Sequence, residues 1–176
     1  MGGNSSGGAE RESGKDPAVR VHDAALRLLS YRARSEHELR QRLMDRGFEE
    51  SLVAGELDRL RGAGLVDDAA FAAAWVDERA RLSPRGSRAL RHELRNRGIA
   101  QPIAEAATSD VDDRETAMDL AQARASTLHG APYESFVRRL GGYLQRRGID
   151  AGTAAWATRK AWEEASSNAE AEAGRD

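Results

Sequence analysis

The chain contains no cysteine. Disulfides and thiolate metal sites are therefore excluded, and a reducing compartment suits it. Aromatic residues make up only 5% of the sequence, so a core must be assembled mainly from leucine, alanine and valine on amphipathic faces. Long hydrophobic runs are missing too. The longest apolar stretch, "DDAAFAAAWV", is too short to span a bilayer, and no charged-then-apolar leader is present. These absences lead us to expect a soluble, cytoplasmic protein without membrane contact. Lysine is nearly absent: there are 25 arginines and 2 lysines. Genomic base composition explains that ratio better than selection for phosphate contacts does.

Familiar catalytic patterns are also lacking. Neither a G-x-x-x-x-G-K-[ST] phosphate loop nor a G-x-S-x-G elbow occurs. The four histidines, His22, His37, His92 and His129, have no partner at a zinc-ligand spacing and read as solvated surface residues. Asp67/Asp68 and Asp112/Asp113 fall at helix starts, where carboxylates favour the macrodipole, so they read as caps rather than acid/base pairs. No enzymatic activity, metal or cofactor is expected.

What is present is charge in blocks. From Arg79 to Arg97 seven arginines face one acid, Glu93, whereas Gln101 to Glu134 holds two arginines and seven acids. The formal net charge of −2 hides this alternation, which suggests polarised surfaces rather than a uniformly basic nucleic-acid binder.

Between Gly/Ser-rich or frayed ends the pattern is helical throughout. Residues 1–16 and 167–176 read as disordered tails, and Gly2 with Ser6 matches the degenerate myristoylation pattern by chance. Helices are expected at 22–33, from a cap at Ser35 to Gly47, and across "ESLVAGELDRLRGAG". A cap at Asp67 or Asp68 opens "AAFAAAWVDERARL", with Phe71, Trp75 and Leu82 on one stripe. Ser83 and Pro84 read as N-cap and first residue of a helix to Arg97. Further helices follow at 101–108, after Asp112, after Pro132, and at "TAAWATRKAWEEA". Alternating β-branched runs, the signature of strands, do not occur.

A short unit recurs within this pattern. "ELRQRLMDRG" (38–47) returns as "ALRHELRNRG" (89–98) and more loosely as "RRLGGYLQRRG" (138–148). Gly47, Gly98 and Gly148 are each preceded by arginine and followed by Phe48, Ile99 or Ile149. Leucines stand four and eight residues before each glycine: Leu43 and Leu39, Leu94 and Leu90, Leu144 and Leu140. Residues four apart share a helical face, and glycine supplies the left-handed C-terminal cap. The unit is thus the middle helix of a three-helix module, and the chain is an all-α tandem array of three three-helix repeats. Their expected extents are 20–66, 67–109 and 110–166, in an elongated and curved arrangement that needs no oligomeric partner. "GGY" at 141–143 falls within the third middle helix, marking close helix approach or a kink.

One constellation points to binding. On the 84–97 helix, Leu90 and Leu94 define the core side, and Arg85, Arg88, Arg91 and Arg95 project from the opposite side. Arg79 and Arg81 extend that patch, and Arg32 and Arg34 form a weaker second one. Guanidinium groups in such a row suit a phosphate backbone or an acidic protein surface.

Three stretches together resemble the RecX family, modulators of the RecA recombinase. They are "ALRLLSYRARSEHELRQRLMDRGF", then "GLVDDAAFAAAWVDERA" with the R-x-x-x-x-x-G-x-x-x-L-x-x-E-L-x-x-R-G-I pattern of 81–99, and a degenerate third unit ending "WATRKAW". The resemblance covers about residues 20–165. It departs from the family where "GGY" replaces charged residues and where the Gly/Ser tail is added. The resemblance implies a regulator that binds RecA filaments on single-stranded DNA; a monomer is expected because the array completes its own core, and whether that DNA is itself contacted is left open. The resemblance also implies restraint of ATP hydrolysis, strand exchange and coprotease activity in recombination, DNA repair and the SOS response. Direct DNA binding by the helical modules is the competing expectation, and a passive helical scaffold is the third.

Overall fold

The structure, a computed structural model, describes the backbone of residues 16–128 and 130–173 and the side chains through Ser167. The Gly/Ser opening with its expected tail and myristoylation pattern, His129, and residues 174–176 lie outside the described residues.

The chain is all-helical, and no strand occurs among the described residues. The helices are α1 (Pro17–Tyr31), α2 (Glu36–Met44), α3 (Glu50–Gly62), α4 (Asp68–Leu82), α5 (Ser87–Asn96), α6 (Gln101–Ala107), α7 (Asp113–Ala125), α8 (Tyr133–Arg146) and α9 (Ala151–Ala173). A 3-10 turn, Ser126–Leu128, follows α7.

Three boundaries and one buried stripe differ from expectation. First, α1 begins at Pro17 because the Asp16 carboxylate accepts from the Ala18 N–H, which makes Asp16 a cap rather than the end of a tail. Second, α9 continues to Ala173, into the stretch expected to fray. The sequence "AEAEA" is built from two strong helix formers, which explains the extension. Third, Ser83 and Pro84 do not open α5. The Ser83 N–H still bonds the Arg79 carbonyl of α4, and α5 starts beyond Gly86, whose carbonyl accepts from Leu90. Fourth, Leu82 leaves the expected stripe and is 75% exposed, while Phe71 is buried. α4 ends at Leu82, so no later turn brings it back to the core side.

The described chain divides into two compact units, one made of residues up to Phe71 with Arg97–Ile99, the other of Ala72–Asn96 with the residues from Ala100 onward. In the first, α1, α2 and α3 pack mutually around Leu28, Leu39, Leu43, Val53, Leu57 and Leu60. In the second, α7, α8 and α9 pack around Leu120, Phe136, Leu140, Leu144 and Ile149, and α5 packs on α6. Small residues line much of this second core: Ala117, Ala121, Ala154, Ala157 and Ala161 are buried, which lets helix backbones approach. All six leucines of the recurring unit are no more than 2% exposed.

The end of each unit matches its sequence. Gly47, Gly98 and Gly148 have φ of 82°, 78° and 89°. At the first and third, the following residue's N–H reaches back to Leu43 or Leu144, the paired hydrogen bonds of a Schellman cap. Gly98 and Gly148 also have a packing reason to be glycine. A Cβ at Gly98 would lie 2.1 Å from the His37 Cβ, and one at Gly148 would lie 2.3 Å from the Ala89 Cβ. Nothing comes within 4 Å of that position at Gly47.

Candidate functional site

The N-termini of α2 and α5 show how the arginine-bearing helices are held. α2 is capped by Ser35, whose hydroxyl oxygen accepts from the Glu38 N–H at 3.1 Å. Its first amide, Glu36 N–H, donates to the Asp68 carboxylate at 2.8 Å. At α5 the equivalent amide, Ser87 N–H, donates to Asp113 at 2.7 Å, and the Ser87 hydroxyl donates to the other oxygen at 2.8 Å. Asp68 and Asp113 are both the first residue of a following helix. Each carboxylate pair is thereby divided. Asp67 and Asp112 cap their own helices, while Asp68 and Asp113 cap the preceding middle helix. Burial raises the Asp68 pKa above its ordinary value, against the opposing hydrogen bond from Glu36.

A second pair of bonds repeats in the same places. The Ser35 hydroxyl donates to the Arg97 carbonyl at 2.6 Å, and the Gly86 N–H donates to the Arg147 carbonyl at 2.9 Å. Arg97 and Arg147 are the residues that precede Gly98 and Gly148. The glycine corner of one middle helix therefore docks on the start of the previous one, and does so twice.

The expected arginine cluster separates into tied and open members. Glu93 accepts from the Trp75 indole at 3.0 Å and from Arg79 at 2.9 Å, and the Arg79 guanidinium lies 4.3 Å from the Trp75 ring centre. Arg85 Nε is 2.8 Å from the other Glu93 oxygen, an ionic contact at an angle short of a hydrogen bond. It precedes α5 and is not on that helix. It also lines a cleft of about 570 Å³ whose wall includes Asp77, Asp110, Asp112, Glu115 and Asp119. Within the basic block Glu93 thus neutralises part of the charge, and the acidic block contributes the carboxylates of the cleft wall.

The remaining arginines are more open. Arg91 donates to the Ser87 hydroxyl at 3.2 Å, and Arg81 is exposed with one bond to the Asp77 carbonyl. Arg88 and Arg95 are exposed and have no ion-pair partner among the described residues. The arginine face of α5 is thus exposed Arg88 and Arg95 with half-buried Arg91 between them. Near the other predicted patch, Arg32 pairs with Glu38 at 2.8 Å, and Arg97 pairs with the same carboxylate. Burial would raise the Glu38 pKa, but the Arg32 hydrogen bond and charge, with the Arg97 charge, hold it below its ordinary value. Arg34 donates to the Leu28 carbonyl at 3.1 Å, and its pKa is lowered by burial and by the Arg32 charge.

Two features lay outside the sequence reading. His22 is not a solvated histidine: its Nδ1 lies 2.7 Å from the carboxylate of buried Glu56. A second arginine cluster gathers Arg124 of α7 with Arg138, Arg139 and Arg146 of α8 around a pocket of about 300 Å³. Arg124 was hidden by the acidic average of its sequence block. The α8 members left a readable signal, since Arg138, Gly142 and Arg146 recur every four residues on one helical face.

Fold and surface place the chain first in a class, all-helical proteins built from three-helix domains. Two family models match it: the first three-helix domain of RecX over residues 22–60 and the second over residues 67–107. The regulatory protein RecX of Mycobacterium sp. strain KMS is 39% identical over 150 residues, covering 78% of this chain and 82% of the relative. That of Streptomyces coelicolor is 35% identical over 167 residues, covering 93% and 89%. A crystal structure of RecX from Lactobacillus salivarius shares the fold with a TM-score of 0.76 at 22% identity, covering 83% of this chain and 97% of that one. The chain belongs to the RecX family of regulatory proteins.

Proposed function

We propose that the chain is a non-catalytic cytoplasmic regulator that binds RecA filaments on single-stranded DNA as a monomer. In this reading it restrains ATP hydrolysis, strand exchange and coprotease activity. Its helix triplets act as three successive modules, each adding modest contacts to a repeating partner. The observation that carries the reading is family membership across most of both chains' lengths. The row Arg88, Arg91 and Arg95 on α5 is the filament-facing element in this reading. These three guanidinium groups are held on a helix capped by Asp113, so little order has to be imposed on binding. Arg79 and Arg85 position that helix through Glu93, and Arg81, Arg32 and Arg34 are further contact residues in this reading.

The test is RecA ATPase on single-stranded DNA, titrated with this protein. Activity should fall at fewer chains than RecA protomers. An unchanged rate at every stoichiometry is the behaviour of a passive scaffold and would overturn the proposal.

A further inference from the structure

The "GGY" segment and the arginines around it are not used by the reading above. Arg138 and Arg139 lie a turn before Tyr143 on α8, Arg146 a turn after it, and Arg124 reaches in from α7. All four are exposed, and none has a carboxylate partner among the described residues. Arg124 sits 5.7 Å from the Tyr143 ring centre, and Arg147 sits 5.2 Å from it. Gly142 leaves room in this wall: a Cβ there would be 3.3 Å from Nη1 of Arg146. Arg147 is held from the far side by the Ser83 hydroxyl and the Pro84 carbonyl.

Four like charges around about 300 Å³ repel one another unless an anion sits between them. Guanidinium forks match phosphate oxygens, and a positive groove with an aromatic ring beside it is the usual platform for a single strand. A flexible strand can bend a phosphate into a concavity of this size, whereas a duplex presents its phosphates on a stiff convex surface. We infer that the pocket formed by Arg124, Arg138, Arg139, Tyr143 and Arg146 binds backbone phosphates of single-stranded nucleic acid. The inference is independent of filament binding, because it concerns bare nucleic acid.

The experiment is fluorescence anisotropy of a labelled oligo(dT) with the full chain and no recombinase. Neutralising four phosphates of a single strand gives a log–log salt slope near −3, so affinity should fall about fifty-fold between 0.05 and 0.2 M salt. R124Q/R138Q/R139Q/R146Q should bind at least tenfold more weakly at the lower salt and flatten that slope by about 3, with an unchanged circular dichroism spectrum. R138Q/R139Q should show about half the change in slope, which keeps the test valid if the quadruple variant folds poorly. Wild-type failure to bind oligo(dT), or full binding by the R138Q/R139Q protein, would overturn the inference. Equal or tighter binding of a duplex of the same length would overturn it too. So would complete displacement of the strand by about 10 mM inorganic phosphate at fixed ionic strength, which would mark a site for isolated ions.

Discussion

Glu93 shows how much one residue organises. It is the only acid in its basic block, and it meets Trp75, Arg79 and Arg85 at once. Hydrogen bonds to charged groups contribute about 1.5–3 kcal/mol each when partly shielded. E93A should therefore lower unfolding free energy by about 2–3 kcal/mol in urea titrations and alter the fluorescence of Trp75. Glu38 carries a pH prediction. Its pKa is held below the ordinary 4.5, so the unfolded chain binds more protons between the two values. Stability from this group is then complete above about 4.5 and is lost as pH falls through the lowered folded value. Melting temperature measured from pH 6 down to about pH 3 should drop more steeply for the wild type than for E38Q. Equal slopes would mean that the Arg32 and Arg97 contacts contribute nothing in solution.

At the scale of the helix, the sequence told where elements lie better than what their ends touch. The buried leucines of α2, α5 and α8 and the left-handed glycines after them were readable, because both follow from local periodicity and local backbone sterics. The true start of α5 was not. Ser83–Pro84 satisfies every local rule for a helix start, but Asp113, distant in sequence, supplies the cap that sets the start at Ser87. Likewise Asp67/Asp68 read correctly as caps, while the division of labour within the pair needed tertiary contacts. The same blindness hid the Arg124 cluster, which forms only when α7 and α8 pack. D113A should cost about 1–2 kcal/mol, with hydrogen exchange faster in the first turn of α5. Glycine substitutions separate local from packing effects. G47A meets only the left-handed backbone penalty of about 1–2 kcal/mol. G98A and G148A add a steric overlap with His37 or Ala89, worth about 1–3 kcal/mol more. Equal losses at the three positions would refute the docked glycine corners.

At the scale of the whole chain, the repeated corner explains why a short unit recurs about fifty residues apart. Ser35 donates to the Arg97 carbonyl and Gly86 to the Arg147 carbonyl, so the first and the second copy each begin where the glycine corner of the next one docks. Charge is distributed in the same local way: Asp113 of the acidic block caps α5, and Glu93 ties Arg79 and Arg85 within the basic block. Arg88, Arg91 and Arg95 are the arginines assigned to the filament. Their role is tested most directly by co-sedimentation of the full chain with RecA filaments preassembled on single-stranded DNA with a non-hydrolysable nucleotide. The account predicts that the wild type pellets with the filaments and that R88E/R91E/R95E, equally helical, stays in the supernatant with at least tenfold weaker binding. A variant that pellets as completely as the wild type would contradict it.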